Sequence, residues 1–304
     1  MNWTGVHPAA TTPFNKDLSV DYDFLSRHLT WLLENGCSGL VMLGSLGEGA
    51  TLTHDEKVAI LKTAVKASQA KGTPVVAGIS SLSTKAAVEL AKEAEAAGCE
   101  GLMVLPPYVY ASDWREMKTH VDAVMKATSL DCMLYNNPIA YKTDFTAAQM
   151  VELAAEHKNF VAVKESSADV RRVMAVRELL GDRIHISVGV DDVIAEASAV
   201  GAKGWVAGLV NAFPRESVEL YELAQAGKMA ELYDLYAWFL PLLRMDTVVK
   251  FVQLIKWVQE QVGVGSARVR PPRLELAGAE LEEAKQTMAK ALANRPAKRS
   301  TEFK

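Results

Sequence analysis

The sequence predicts an α/β protein, a (β/α)₈ TIM barrel with a C-terminal helical extension, and three observations lead there. Short apolar runs alternate with longer helical patterns as far as about residue 211. Eight such runs occur. Each is nearly continuously apolar rather than alternating, as parallel strands covered on both faces are. An open doubly wound sheet shares this rhythm, and the count of eight favours the closed barrel.

The first four runs are Val6 to Thr12, Gly39 to Gly44, Pro74 to Ile79 and Gly101 to Leu105. The second four are Cys132 to Tyr135, Phe160 to Lys164, Ile184 to Val188 and Gly204 to Val210. Between them, Thr53 with Glu56 and Asp113 with Glu116 have the spacing of capping boxes that start helices. Gly36 and Gly98 stand where helices close before the next strand. After Pro214 the strand pattern stops, and ELYDLYAWFLPLLR and VVKFVQLIKWVQEQVG read as helices with apolar faces. The expected division is a barrel over 1–226 and a helical region over 227–304, packed on the barrel or on a neighbouring subunit.

Composition narrows the function classes. The chain has 304 residues, 49% hydrophobic and 23% charged, which suits a globular protein with a large core. The net charge of −4 comes from interspersed charges, so no basic stripe for nucleic acid and no membrane-binding segment is expected. Cys37, Cys99 and Cys132 are widely spaced among apolar residues and read as reduced core thiols. The N-terminus lacks the pattern of a signal peptide, and a cytoplasmic location is the expectation. His7, His28, His54, His120, His157 and His185 have no metal-ligand spacing and read as surface or capping residues, so no metal site is expected.

In a barrel of this kind chemistry belongs at the carboxyl ends of the strands. Lys164 ends the apolar run FVAVK and shares a face with Ala162. A lysine there either snorkels to the rim, or pairs with Glu165 or Asp191, or serves as a nucleophile. Desolvation disfavours an ammonium ion relative to the free amine, and a free amine adds to a ketone to give an imine. A protonated imine is an electron sink that acidifies the adjacent carbon and needs no metal or organic cofactor. Tyr135 ends the preceding strand in CMLYNNP, where it serves as a proton shuttle or as a core tyrosine with a satisfied hydroxyl. The loop GSLGEGATLT, residues 44 to 53, offers Ser45 and backbone N–H groups to a substrate carboxylate, and it lacks both phosphate-loop patterns.

Together these residues resemble the dihydrodipicolinate synthase and N-acetylneuraminate lyase superfamily of class I aldolases. The likeness runs through TTPF, GSLGE, LPPY, YNNP, AVKESS, GVDD and GAKGWVAGLVN, at the ends of the first, second, fourth, fifth, sixth, seventh and eighth strands. It implies a barrel with a helical C-terminal part, a homotetramer, and a small-molecule 2-oxo acid as substrate. It also implies Lys164 as the Schiff-base lysine, Tyr135 as the proton shuttle, and Ser45 with the Leu46 backbone as the carboxylate site. Gly189 and Val206 would line the same pocket, and Asp191 matches an acidic position that contacts substrate hydroxyls in the sialic acid lyases.

Three departures bear on specificity. Leu46 stands where the synthase has a second threonine, so one hydroxyl of its proton relay is missing. The tyrosine that a neighbouring subunit lends to that relay falls at Val109, between Tyr108 and Tyr110. Ala140 stands where an arginine would hold an aldehyde substrate's carboxylate, and Lys142 is the nearest alternative charge. The combination predicts dehydration or deamination of a hydroxylated 2-oxo acid or cyclic imino acid. Examples are a pyrroline-4-hydroxy-2-carboxylate deaminase and a 2-keto-3-deoxy-sugar-acid dehydratase. The alternatives are a pyruvate-dependent aldolase and a non-catalytic metabolite-binding barrel.

Overall fold

A computed structural model of the chain describes residues 1–108, 110–296 and 302–303. The chain begins with β1 (Gly5–Pro8), α1 (Tyr22–Glu34), β2 (Leu40–Met42), α2 (His54–Gln69), β3 (Val75–Ile79) and α3 (Thr84–Ala96). It continues with β4 (Gly101–Val104), α4 (Trp114–Lys126), β5 (Asp131–Asn136), the single turn α5 (Pro138–Tyr141), α6 (Ala147–Glu156) and β6 (Phe160–Glu165). Then follow α7 (Arg171–Leu180), β7 (His185–Val188), α8 (Ile194–Ala199), β8 (Gly204–Ala207) and α9 (Pro214–Gln225).

All eight predicted runs contain a strand, and the strands pair in parallel in the order β1-β8-β7-β6-β5-β4-β3-β2. The ends meet where Ala9 bridges Val41 and the Ala10 N–H donates to the Val41 carbonyl at 2.9 Å, closing the barrel. The first and last strands end well before their apolar stretches do. The first strand stops at Pro8, and the last stops at Ala207 before a 3₁₀ turn over Leu209–Asn211. Hydrophobicity continues past both ends because the chain there is still largely buried, although it no longer forms a regular strand.

The helix signals hold for local reasons. Thr53 and Asp113 each accept from the backbone N–H three residues on, while Glu56 and Glu116 reach back to the cap. Gly36 and Gly98 follow helix ends with φ of +99° and +93°, a conformation glycine adopts without steric cost.

The core has two layers. Side chains such as Leu25, Leu29, Ile60, Leu90 and Val121 fill the space between strands and helices. A separate inner cluster of Trp3, Val41, Val76, Met103, Leu105, Met133, Tyr135, Ala162 and Val206 plugs the barrel. His7 pairs in register with Val206 and is buried. Three of the histidines expected at the surface or at caps, His7, His28 and His120, are in fact buried, and His157, also buried, is the C-cap of α6. A neutral imidazole is compact enough to fill a core position, and charge patterning does not reveal that. The three cysteines are buried free thiols.

Beyond the barrel come α10 (Met229–Leu243), α11 (Phe251–Gln261) and α12 (Gly278–Ala293). Phe239 of α10 meets Phe213 at the start of α9, their ring centroids 5.8 Å apart. Lys256 of α11 is buried and donates to Glu48 at 2.8 Å and to the Thr12 carbonyl at 2.9 Å. The helical region is thereby tied to the loop after β2. Among the described residues, no helix is long and apolar enough to cross a membrane.

Candidate active site

Lys164 owes its position to an irregularity in β6. Cys132 of β5 pairs with Phe160, but Met133 pairs with Ala162, so Val161 is an extra residue in β6. Such a bulge re-aims the side chains that follow it. Without it Lys164 would stand level with Asn136, whose side chain donates to Glu165 and Asp144 away from the inner cluster. With it Lys164 is level with Tyr135 on β5 and Ser187 on β7.

Lys164 and Tyr135 are only 5% and 6% exposed, and the lysine Nζ lies 4.2 Å from the centre of the tyrosine ring. The amine is therefore held against an aromatic face in an enclosed site. Asn137 fixes the tyrosine hydroxyl, donating to it at 3.0 Å, while its Oδ1 caps α5 by accepting from the Ala140 N–H at 3.0 Å. Beside the lysine chain, the Ser166 Oγ is buried without a partner among the described residues. A Cβ on Gly189 would come within 2.4 Å of Lys164 Cε and 2.1 Å of that Oγ, so the close approach requires glycine.

The loop expected to hold a carboxylate follows β2. Ser45 and Leu46 follow β2, and neither N–H has an acceptor among the described residues. The Ser45 hydroxyl is hydrogen-bonded to the Tyr141 hydroxyl. Tyr141 was not among the residues singled out from the sequence. Its ring is edge-on to Tyr135 with centroids 5.7 Å apart, and it also packs against Tyr108 at 5.7 Å. Burial, with the neighbouring Tyr135, pushes the Tyr141 phenol above its ordinary range, so the hydroxyl keeps its proton. The only trace of it in the sequence is its place one helical turn after the Asn137 cap.

The other expected residues separate into two groups. Val206 faces into the inner cluster on β8. Asp191 is fully buried and its carboxylate accepts from Trp205 Nε1 at 3.0 Å, from the Gly208 N–H at 3.1 Å and from the Leu209 N–H at 2.8 Å. With three donors on it, Asp191 braces the turn after β8. Burial outweighs those donors and pushes its carboxyl up to about 6. Ala140 is exposed, and Lys142 is exposed with its Nζ turned back to the Ile139 carbonyl at 3.0 Å. Tyr110 is exposed, and Val109 lies outside the described residues.

A lysine amine, a phenol in contact with it, and a hydroxyl and N–H cradle across the mouth can form an imine with a 2-oxo acid and move protons around it. Comparison with known proteins agrees. The sequence matches the dihydrodipicolinate synthetase family over residues 2–292. It is 34% identical over 234 residues to a 4-hydroxy-tetrahydrodipicolinate synthase of Clostridium perfringens, covering 77% of this chain and 79% of that one. The fold superposes on the 4-hydroxy-tetrahydrodipicolinate synthase of Methylacidiphilum fumariolicum SolV with a TM-score of 0.91 at 29% identity, covering 95% and 96% of the two chains. It also superposes on the dihydrodipicolinate synthase of Acinetobacter baumannii, solved with pyruvate, with a TM-score of 0.90 at 26% identity, covering 95% and 99% of the two chains. The chain therefore belongs to the dihydrodipicolinate synthetase family and is a class I, Schiff-base-forming lyase.

Proposed function

We propose that this lyase removes water or ammonia from a hydroxylated 2-oxo acid or a cyclic imino acid, through an imine on Lys164. The observation that carries the reading is the segment Asn137 to Lys142. Where the synthase pattern calls for an arginine toward a second substrate's carboxylate, this segment has an exposed Ala140 and turns Lys142 onto its own backbone. What it sends to Ser45 is the Tyr141 hydroxyl. A guanidinium clamp on a carboxylate contributes roughly 1.5–3 kcal/mol, and its absence weakens capture of an aldehyde acid.

The chemistry needs no second carboxylate site. In this reading the substrate carboxylate sits against Ser45 and the Leu46 N–H, and the Lys164 amine attacks C2. Tyr135 protonates the departing carbinolamine oxygen, and the protonated imine then acidifies C3. Loss of the C3 proton gives an enamine that expels a group from C4. Gly189 and Val206 would bound the pocket, Asp191 would shape its rim, and the assembly would be a homotetramer.

A second reading, aldol condensation of pyruvate with an aldehyde acid, is favoured by the names of the relatives. Steady-state assays separate the two. Turnover of 4-hydroxy-pyrroline-2-carboxylate or a 2-keto-3-deoxy sugar acid, with negligible condensation of pyruvate and aspartate semialdehyde, is the expected result. Efficient condensation would overturn it.

A further inference from the structure

Two glycines at the ends of adjacent strands are each overlaid by an ionisable side chain. Beyond β7, Gly189 lies under Lys164, as described above. Beyond β8, a Cβ on Gly208 would lie 1.9 Å from Asp246 Oδ1 and 2.4 Å from its Cγ. Gly208 follows Gly204 and Val206 by twos, and Val206 faces the inner cluster. The direction a side chain would take from Gly208 is therefore toward the barrel mouth, and the Asp246 carboxylate occupies that space.

Asp246 is not part of the barrel. It ends the 3₁₀ turn Arg244–Asp246 that follows α10, so the helical region delivers it to the mouth. The residue as a whole is partly exposed, yet its Oδ1 is closed to solvent and has no hydrogen-bond partner among the described residues. A buried, unpartnered carboxylate oxygen is costly unless it carries a proton or meets a ligand. Asp191, the neighbouring acid, is saturated by three donors, so the unused capacity belongs to Asp246. Burial pushes the Asp246 carboxyl well above the ordinary carboxylate range; Asp191 adds to this, Lys164 opposes it, and Asp192 adds a smaller push.

We infer that Asp246 is a catalytic acid of this site, giving a proton to the hydroxyl oxygen that leaves C4 of a substrate held as an imine on Lys164. The inference rests on the dehydration and deamination reading above. Tyr135 gives its proton to the carbinolamine oxygen, which leaves as water, and the resulting phenolate takes the C3 proton. The enamine electrons then form the C3–C4 double bond as the C4–O bond breaks. The departing oxygen keeps the bonding pair, takes the Asp246 proton and leaves as water. Hydrolysis of the conjugated imine consumes one water, frees the Lys164 amine and returns one proton to Asp246.

The test compares wild type with Asp246→Asn and Asp246→Ala in two measurements. The first is exchange of pyruvate methyl protons with heavy water, which needs the imine and enamine alone. The second is release of water or ammonia from 4-hydroxy-pyrroline-2-carboxylate and a 2-keto-3-deoxy sugar acid. Exchange should stay within a few-fold of wild type in both variants, while release falls about a hundredfold, the scale of a lost general acid. The fall of kcat at high pH, as the acid ionises, should also vanish from the residual activity. Wild-type release in Asp246→Asn would overturn the inference, as would an equal loss of exchange and release, which marks a purely structural role. A wild-type enzyme that exchanges pyruvate protons but releases nothing from either substrate would instead overturn the functional reading, and the inference with it.

Discussion

The Tyr141 and Ser45 hydroxyls share a hydrogen bond across the barrel mouth, joining the turn after β5 to the loop after β2. Tyr135 stands on the other side of the Tyr141 ring, so one phenol connects the residue facing Lys164 to the loop expected to hold the substrate carboxylate. Tyr141→Phe should therefore lower turnover about a hundredfold or more, within the range of about 10²–10⁴ for a lost proton-transfer group, with folding preserved. Unchanged pyruvate proton exchange in this variant would return Tyr141 to a packing role.

Lys164 is expected to be the sole site of covalent capture. Borohydride reduction in the presence of pyruvate should add a stable mass at Lys164, and Lys164→Ala should abolish it. Labelling elsewhere would contradict the mechanism. Tyr135→Phe should still be labelled but turn over about a hundredfold more slowly, since the ring keeps its packing and only the proton route is lost. Turnover should also persist in chelator, because the imine itself is the electron sink. Loss of activity that a divalent ion restores would refute this.

The Lys256–Glu48 pair is buried, with side chains only 2% and 0% exposed. Removing one partner leaves the other charge unpaired in the interior, so Lys256→Met should cost about 3–5 kcal/mol. Glu48→Gln combined with Lys256→Met should cost less than the two single changes together. Urea midpoints of the four proteins measure this, and simple additivity would show that the pair is not coupled.

Burial pushes His7 and His28 down to about 4 from an unperturbed 6.5. Between those values the unfolded chain binds protons that the folded chain does not. Each histidine therefore withdraws about 1.4 kcal/mol of stability per pH unit as pH falls through that window. The effect is absent above it and complete below about pH 4. Urea midpoints should drop steeply between pH 6.5 and 4.5 in wild type and less steeply in a His28→Gln variant. Equal slopes would show that His28 takes up its proton without unfolding.

The barrel was legible because its signal is local and repeated. A strand covered on both faces is written as a run of apolar residues, and a capped helix start as Thr or Asp with Glu three residues on. Lys164 and Tyr135 were legible for a related reason: a polar residue closing an apolar run is conspicuous. His7, His28 and His120 were misread because a buried neutral imidazole leaves no such mark among its neighbours in the chain.

By itself the sequence determined the eight strands, the helix starts, and the lysine and tyrosine at the ends of β6 and β5. These depend on periodicity and on chemistry within a few residues. Only the tertiary structure decided that a bulge at Val161 sets Lys164 level with Tyr135, that Tyr141 reaches Ser45, and that Asp246 lies over Gly208. Tyr141 is 96 residues from Ser45, and Asp246 comes from a turn outside the barrel. Contacts of that span follow from how strands register and helices pack, and such packing joins residues whose local sequence carries no sign of one another.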